Sequence, residues 1–142
     1  MESSDIVEKL RHEIGAESVS SVTYSRERRV FIEMSHLCLR AAVAFLKNNG
    51  FSQLCAITGS QTDDKLIELL YHFDKAGSLF TLRVQLPEKE CSITTISDII
   101  PGALLYEREI HDLYGIDFSG HPSLQKLVLP DEWNDQSFPL KN

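Results

Sequence analysis

The sequence predicts an α+β two-layer sandwich: a mostly antiparallel sheet with helices on one face, followed by an irregular C-terminal tail. Three observations lead there. Runs with a two-residue hydrophobic period come in pairs joined by links of about four residues, as antiparallel hairpins require. Three stretches with a helical period separate or flank these pairs, in the order α-β-β-α-β-β-β-α. After Gly115 no period persists, and Gly120, Pro122, Pro130 and Pro139 forbid a long regular element. At 142 residues the chain has the length of one domain. We read 1–115 as the core and 116–142 as an irregular tail of the same domain.

Asp5-Ile6-Val7-Glu8 has the form of a capped helix start, with Ile6, Val7, Leu10 and Ile14 on one face and Gly15 as the stop. Val19–Tyr24 suits a strand. In Arg29–Met34, Val30, Ile32 and Met34 alternate with Arg29, Phe31 and Glu33, and Ser25–Arg28 is short enough for a hairpin link. Ser35 can cap an Ala- and Leu-rich helix over His36–Asn49 that ends at Gly50, and Phe51–Thr58 suits a third strand. Gly59–Asp64 is a polar loop. Lys65–Asp74 fits either a helix capped by Thr62 or Asp63 or an alternating strand. The tight link Lys75–Ser78 and the clear strand after it, with Phe80, Leu82, Val84 and Leu86 on one face, favour the strand. Ser92–Ile96 is short and β-prone. Pro101 and Gly115 bracket the last helix.

Composition removes several function classes. Lys and Arg number 14 against 21 Asp and Glu, and a net charge of −7 does not suit a general nucleic-acid binder. The longest uncharged stretch, 48–62, contains Asn, Gln, Ser and Thr and cannot span a bilayer. Met1–Asp5 lacks the basic start and apolar run of a signal peptide, so a cytoplasmic location is expected. Cys38, Cys55 and Cys91 are too few and too far apart for an iron–sulfur cluster, and are expected to be small buried residues. No P-loop, G-x-G-x-x-G or nucleophile elbow is present. Residues 18–60 carry Arg26, Arg28, Arg29, Arg40 and Lys47 against Glu27 and Glu33, a net of +3, which leaves −10 elsewhere. That asymmetry suits either solvated faces or a docking surface with two signs of charge.

The chemistry-bearing residues concentrate in 106–122. On a helix Glu107 pairs with His111 and Arg108 with Asp112, each four residues apart, and Glu109 lies three before Asp112. This can be a salt-bridged surface helix. It can also be the start of a metal-dependent hydrolase site using Glu107, His111 and His121, since carboxylate and imidazole ligate zinc or move protons. A small-molecule regulatory domain of similar architecture is a further possibility.

Glu107-Arg108-Glu109, Asp112, Tyr114-Gly115-Ile116, Phe118 and Gly120-His121-Pro122, followed by Leu124, Leu127, Leu129 and Pro130-Asp131-Glu132-Trp133, resemble the signature of the 30 kDa subunit family of NADH–quinone oxidoreductase (complex I). The resemblance covers roughly 60–133 and extends to the homologous subunit of energy-converting membrane-bound [NiFe] hydrogenases and formate hydrogenlyases. It implies a chain without a cofactor or catalytic or metal-binding residues of its own, the iron–sulfur clusters and a nickel–iron site belonging to partner subunits. It implies a peripheral place on the cytoplasmic face of the cell membrane, docked on the hydrogenase-like large subunit beside the iron–sulfur subunits. The residues implied in assembly are Glu107, Arg108, Glu109, Asp112, Tyr114, Gly115, Phe118, Gly120, His121, Pro122, Leu127 and Trp133. Complex I chains commonly carry an aromatic where this chain has His111, and the hydrogenase branch more often carries His, so the resemblance leans to that branch.

Overall fold

Ile67, Leu69, Tyr71 and Phe73 have no exposed surface, while Leu66, Glu68, Leu70 and His72 between them are only half-buried. A period of two decides the ambiguous stretch, and it is a strand. The computed structural model describes residues 3–24, 29–62 and 65–122. In chain order, α1 is Ser3–Ile14, β1 Val19–Tyr24, β2 Arg29–Met34, α2 Leu39–Asn48, β3 Gln53–Gln61, β4 Leu66–Lys75, β5 Ser78–Pro87, β6 Ser92–Thr94, α3 Ala103–Tyr114 and β7 Asp117–Ser119.

β1 to β5 form one sheet in the order β1-β2-β5-β4-β3. All its pairings are antiparallel except β2 with β5. The parallel pair follows from connectivity. α2 carries the chain from β2 to the far edge, where β3 starts, and two hairpin turns bring it back beside β2. The buried sides of β2, β4 and β5 make one apolar surface, and Ile6, Val7 and Leu10 of α1 and Leu39, Ala42, Val43 and Leu46 of α2 join it in a single core. At about 25 cal/mol per Å² this burial is what holds the two layers together. The predicted fold class is the one observed.

Several boundaries move, each for a local reason. α1 starts at Ser3, so Asp5 lies inside the first turn, where the helix dipole favours its charge, and does not cap it. Ser35 Oγ accepts the Leu37 N–H at 3.3 Å and opens a 3-10 turn at His36–Cys38; the α-helix follows only from Leu39. β3 runs on to Gln61 through Gly59–Gln61, which the sequence assigns to a loop. Cys91 is buried and Cys38 partly so, but Cys55 is exposed, against the expectation for all three. It lies where the β3–β4 register slips between Leu54 and Ala56, and an extra residue there turns its side chain off the core face. Past Gly115 the chain is not irregular at once. β7 pairs in parallel with β6, and Ile116 and Phe118 are core residues. The Ser25–Arg28 link and the tail from 123, with Leu127 and Trp133, lie outside the described residues.

β4 and β5 are joined by Ala76-Gly77, both at positive φ (50° and 88°), with Lys75 paired to Ser78. A two-residue turn of this hand matches the twist of the strands but prefers Asn or Gly at its first position. Ala76→Asn is expected to raise the unfolding midpoint by recovering part of the roughly 1–2 kcal/mol that a Cβ costs in left-handed backbone. Denaturant titration of the two proteins checks it; an unchanged or lower midpoint would refute it.

Candidate functional site

α3 places Ala103, Glu107, Ile110 and Tyr114 on its buried side, so a carboxyl occupies a position in the apolar stripe. Glu107 has no exposed surface. Its oxygens are supplied from the segment between β6 and α3. Thr95 Oγ1 bonds Oε1, and the Ile96 N–H donates to Oε2 at 2.9 Å. Thr95 Oγ1 also lies 2.8 Å from Ser97 Oγ and accepts the Ser97 N–H at 3.0 Å. On the exit side, His121 Nε2 is 3.1 Å from the Leu104 carbonyl and 3.9 Å from Glu107 Oε1, and its side chain is fully enclosed. The His121 N–H donates to the Phe118 carbonyl at 3.0 Å, closing the turn at Gly120. The carboxyl therefore joins three parts of the chain: the 95–97 segment, α3 and the exit after β7.

The segment is held from the other side by α2. Arg40 makes a two-pronged pair with Asp98, at 2.7 and 2.8 Å, and donates to the Thr95 carbonyl at 2.7 Å. Lys47 Nζ donates to the Ile99 carbonyl at 2.8 Å. Two charges of the cationic stretch thus serve internal anchoring. The Arg40 hydrogen bond pulls the Asp98 carboxyl down to about 2. Glu107 moves the other way. Burial raises it, the Thr95, Ile96 and His121 contacts pull it back, and the Asp98 charge adds to the rise. Tyr71, buried in β4, is held well above the ordinary phenol by burial and then by the Glu107 charge.

α3 also closes an edge of the sheet. Tyr106 Oη donates to the Cys55 carbonyl at 3.0 Å and Tyr114 Oη to the Gly59 carbonyl at 2.7 Å. Eight residues of helix span roughly 12 Å and four residues of strand roughly 13 Å, so the two phenols match the β3 edge in step. They cover carbonyls that an open edge would offer to any passing strand. Gly59 is needed for this fit, since a Cβ there would meet the Tyr114 ring at 2.7 Å.

The sequence reading is corrected in one pairing. Glu107 does not pair with His111. Its carboxyl turns inward to Thr95, Ile96 and His121, and His111 Nδ1 lies 2.8 Å from the Ile116 carbonyl just past the helix end. Among the described residues no group of three or more His, Cys, Asp or Glu is arranged to hold a metal, and Glu107, His111 and His121 are not such a group. Of the residues implied in assembly, Glu107, Asp112, Tyr114 and Phe118 are buried, Arg108, Gly115 and His121 partly so, and Glu109, Gly120 and Pro122 are exposed. Thr95, Ser97, Arg40, Asp98, Gly59, Tyr71 and Tyr106 complete the arrangement. They carry no helical-neighbour signal, because their distance from Glu107 in sequence is large or lies across a loop. A hydroxyl cluster ahead of a Glu in an apolar stripe is the one trace visible beforehand.

Tyr114→Phe is expected to cost about 0.5–1.5 kcal/mol, the net worth of a lost hydrogen bond, while Gly59→Ala is expected to cost about 1–3 kcal/mol by overpacking; chemical denaturation ranks them. The low Asp98 value gives stability that is present above the ordinary carboxylate range and lost as pH falls through about 2. Asp98→Asn is expected to flatten the acid limb of the stability curve between about 4 and 2, as read by thermal melts over pH, and an unaltered limb would contradict the assignment.

The same arrangement of strands and helices recurs in known proteins. The chain is 32% identical over 84 residues to an NADH-quinone oxidoreductase subunit of Herpetosiphon aurantiacus, a match that covers 58% of this chain and 48% of that protein. This chain thus spans about half of that relative's length. A chain in the structure of the membrane-bound sulfane sulfur reductase, an archaeal respiratory membrane complex, superposes with a TM-score of 0.82 at 23% identity, covering 97% of this chain and 82% of the other. At that identity the likeness is one of fold. The trypsin-resistant fragment (1-134) of Nqo5 superposes with a TM-score of 0.70 at 26% identity, over 84% of this chain and 99% of that one. Residues 32–142 match the family profile of the respiratory-chain NADH dehydrogenase 30 kDa subunit, and the chain belongs to that family.

Proposed function

We propose that the chain is a structural, cofactor-free subunit of the peripheral arm of a membrane-bound respiratory oxidoreductase. It docks onto the hydrogenase-like large subunit, beside the iron–sulfur subunits, on the cytoplasmic face of the membrane. Family membership supports a place in a respiratory complex. No helix among the described residues is long and apolar enough to cross a membrane, which agrees with a peripheral position.

The observation that carries the structural role is what the signature residues bind. Glu107 is taken up by hydrogen bonds inside the domain, Tyr114 by the β3 edge and Phe118 by the core. Residues used this way set the shape of a surface; they are not displayed to a substrate. His111 in place of an aromatic supports the energy-converting hydrogenase branch over the quinone-reducing one.

The test is co-expression with candidate large subunits, followed by affinity capture of the full-length chain, of Glu107→Gln and of a chain ending at Pro122. The full-length chain is expected to capture the large subunit. Glu107→Gln is expected to lower the yield of complex while turnover per assembled complex stays close to that of the parent. The chain ending at Pro122 is expected to keep the circular dichroism of the domain and to lose capture. A Glu107→Gln complex that assembles fully yet loses turnover would overturn the structural reading, and a Pro122 truncation that binds at full strength would move the docking surface to the described domain.

A further inference from the structure

The carboxyl at the meeting point of the three chain parts is enclosed, and a row of two hydroxyls leads away from it. Glu107 Oε1 touches Thr95 Oγ1, and Thr95 Oγ1 lies 2.8 Å from Ser97 Oγ. Ser97 keeps 8% of its surface exposed, while Glu107 has none. Two hydroxyls in series therefore lead from the fully buried carboxyl to a residue that retains a little exposed surface. Each can donate one proton and accept others, so the row has two complete arrangements. With Glu107 charged, Thr95 donates to Oε1 and Ser97 donates to Thr95. With Glu107 neutral, the carboxyl donates to Thr95 and Thr95 donates to Ser97.

Every element around the carboxyl contributes a group. The exit presents His121 Nε2 at 3.9 Å from Oε1, β4 presents the Tyr71 phenol, the 95–100 segment presents Asp98, and α2 presents Arg40. Tyr71 Oη is buried and has no hydrogen-bond partner among the described residues. Arg40 is committed to Asp98, which leaves the His121 imidazole as the group whose contact depends most directly on the charge of Glu107.

We propose that Glu107 is a proton-controlled clasp, which exchanges its proton with water through Ser97 and Thr95 and whose charge sets how firmly the His121 exit is held on α3. The proton count balances. A hydronium ion outside gives a proton to Ser97 Oγ, Ser97 passes its own to Thr95 Oγ1, and Thr95 passes its own to Glu107 Oε1. Both hydroxyls end neutral and the carboxylate becomes a carboxylic acid. Water is the only product outside. In the charged state Oε1 attracts the imidazole N–H and the exit is clasped. In the neutral state that attraction is lost, and the hold on the ring, which includes the Leu104 carbonyl, is weaker. Burial favours the neutral carboxyl, so the change falls above the ordinary carboxylate range.

The clasp has two independent readouts in the full chain. The first is the infrared carbonyl stretch of a protonated carboxylic acid, followed over pH. A band that persists above the titration of the surface carboxylates and is absent in Glu107→Gln is expected. The second is the protection of the His121 amide against hydrogen exchange, corrected for the intrinsic rate. It is expected to fall several-fold as the band grows, and to stay low at every pH in Glu107→Gln, whose neutral amide imitates the protonated state. Thr95→Val removes a donor to the carboxylate and is expected to move both transitions to higher pH. A parent chain with no such band, or with His121 protection that ignores it, would overturn the clasp. A Thr95→Val transition that stays in place would overturn the role given to Thr95. Because the parent chain alone supplies both curves, the proposal does not depend on any variant folding.

Discussion

Glu107 has no access to water, and a carboxyl in such a place is tolerated only when its oxygens receive donors. The donors come from Thr95 and Ile96, and the imidazole of His121 stands opposite. This one requirement orders much of the rest. The 95–97 backbone must bend toward α3 to deliver an N–H and a hydroxyl. The exit after β7 must fold back to bring His121 in. Arg40 and Lys47 then hold the far side of the same segment on α2. Removing a donor to Glu107 would leave a buried carboxylate short of a partner, at a cost of about 1–3 kcal/mol or more, which is above what a surface ion pair typically contributes.

The charges are divided by exposure. Arg40 and Asp98 meet near the surface, where water screens them and the pair serves to fix geometry more than to stabilise. Glu107 and His121 meet inside, where the low dielectric makes their arrangement decisive. The outer pair thus positions a segment whose inner groups satisfy the carboxyl. A family signature that reads as surface charge serves to join the helix, a loop and the chain exit.

The sheet has two unequal edges. β3 is covered by α3, with Tyr106 and Tyr114 donating to its carbonyls, while β1 pairs with β2 on one side and is largely exposed. Covering one edge with a helix is an ordinary way to prevent unwanted strand pairing. Here the same helix carries Glu107, so edge protection and the buried carboxyl depend on one element. Gly59 belongs to the same fit, because a Cβ there would run into the Tyr114 ring.

The sequence alone determined the elements whose signal is local. Periods of two and of 3.6 residues fix which side of each strand and helix is apolar, and that is enough for an α+β sandwich, for β5, and for the end of α3 at Gly115. It also located the segment of interest, since the dense charge pattern from Glu107 to His121 lies within one helix and its exit. Only the tertiary structure decided what that charge is for. Helical spacing pairs Glu107 with His111, yet the helix is rolled so that Glu107 faces the core, and the roll is set by packing of Ala103, Ile110 and Tyr114. The parallel placement of β2 beside β5, the extension of β3 through Gly59, and the strand formed by Asp117–Ser119 beside β6 likewise depend on partners distant in sequence. Pairing energies of that kind are supplied by residues that no local window contains, which is why the pattern along the chain could name Glu107 but not Thr95, Arg40 or Gly59 as its companions.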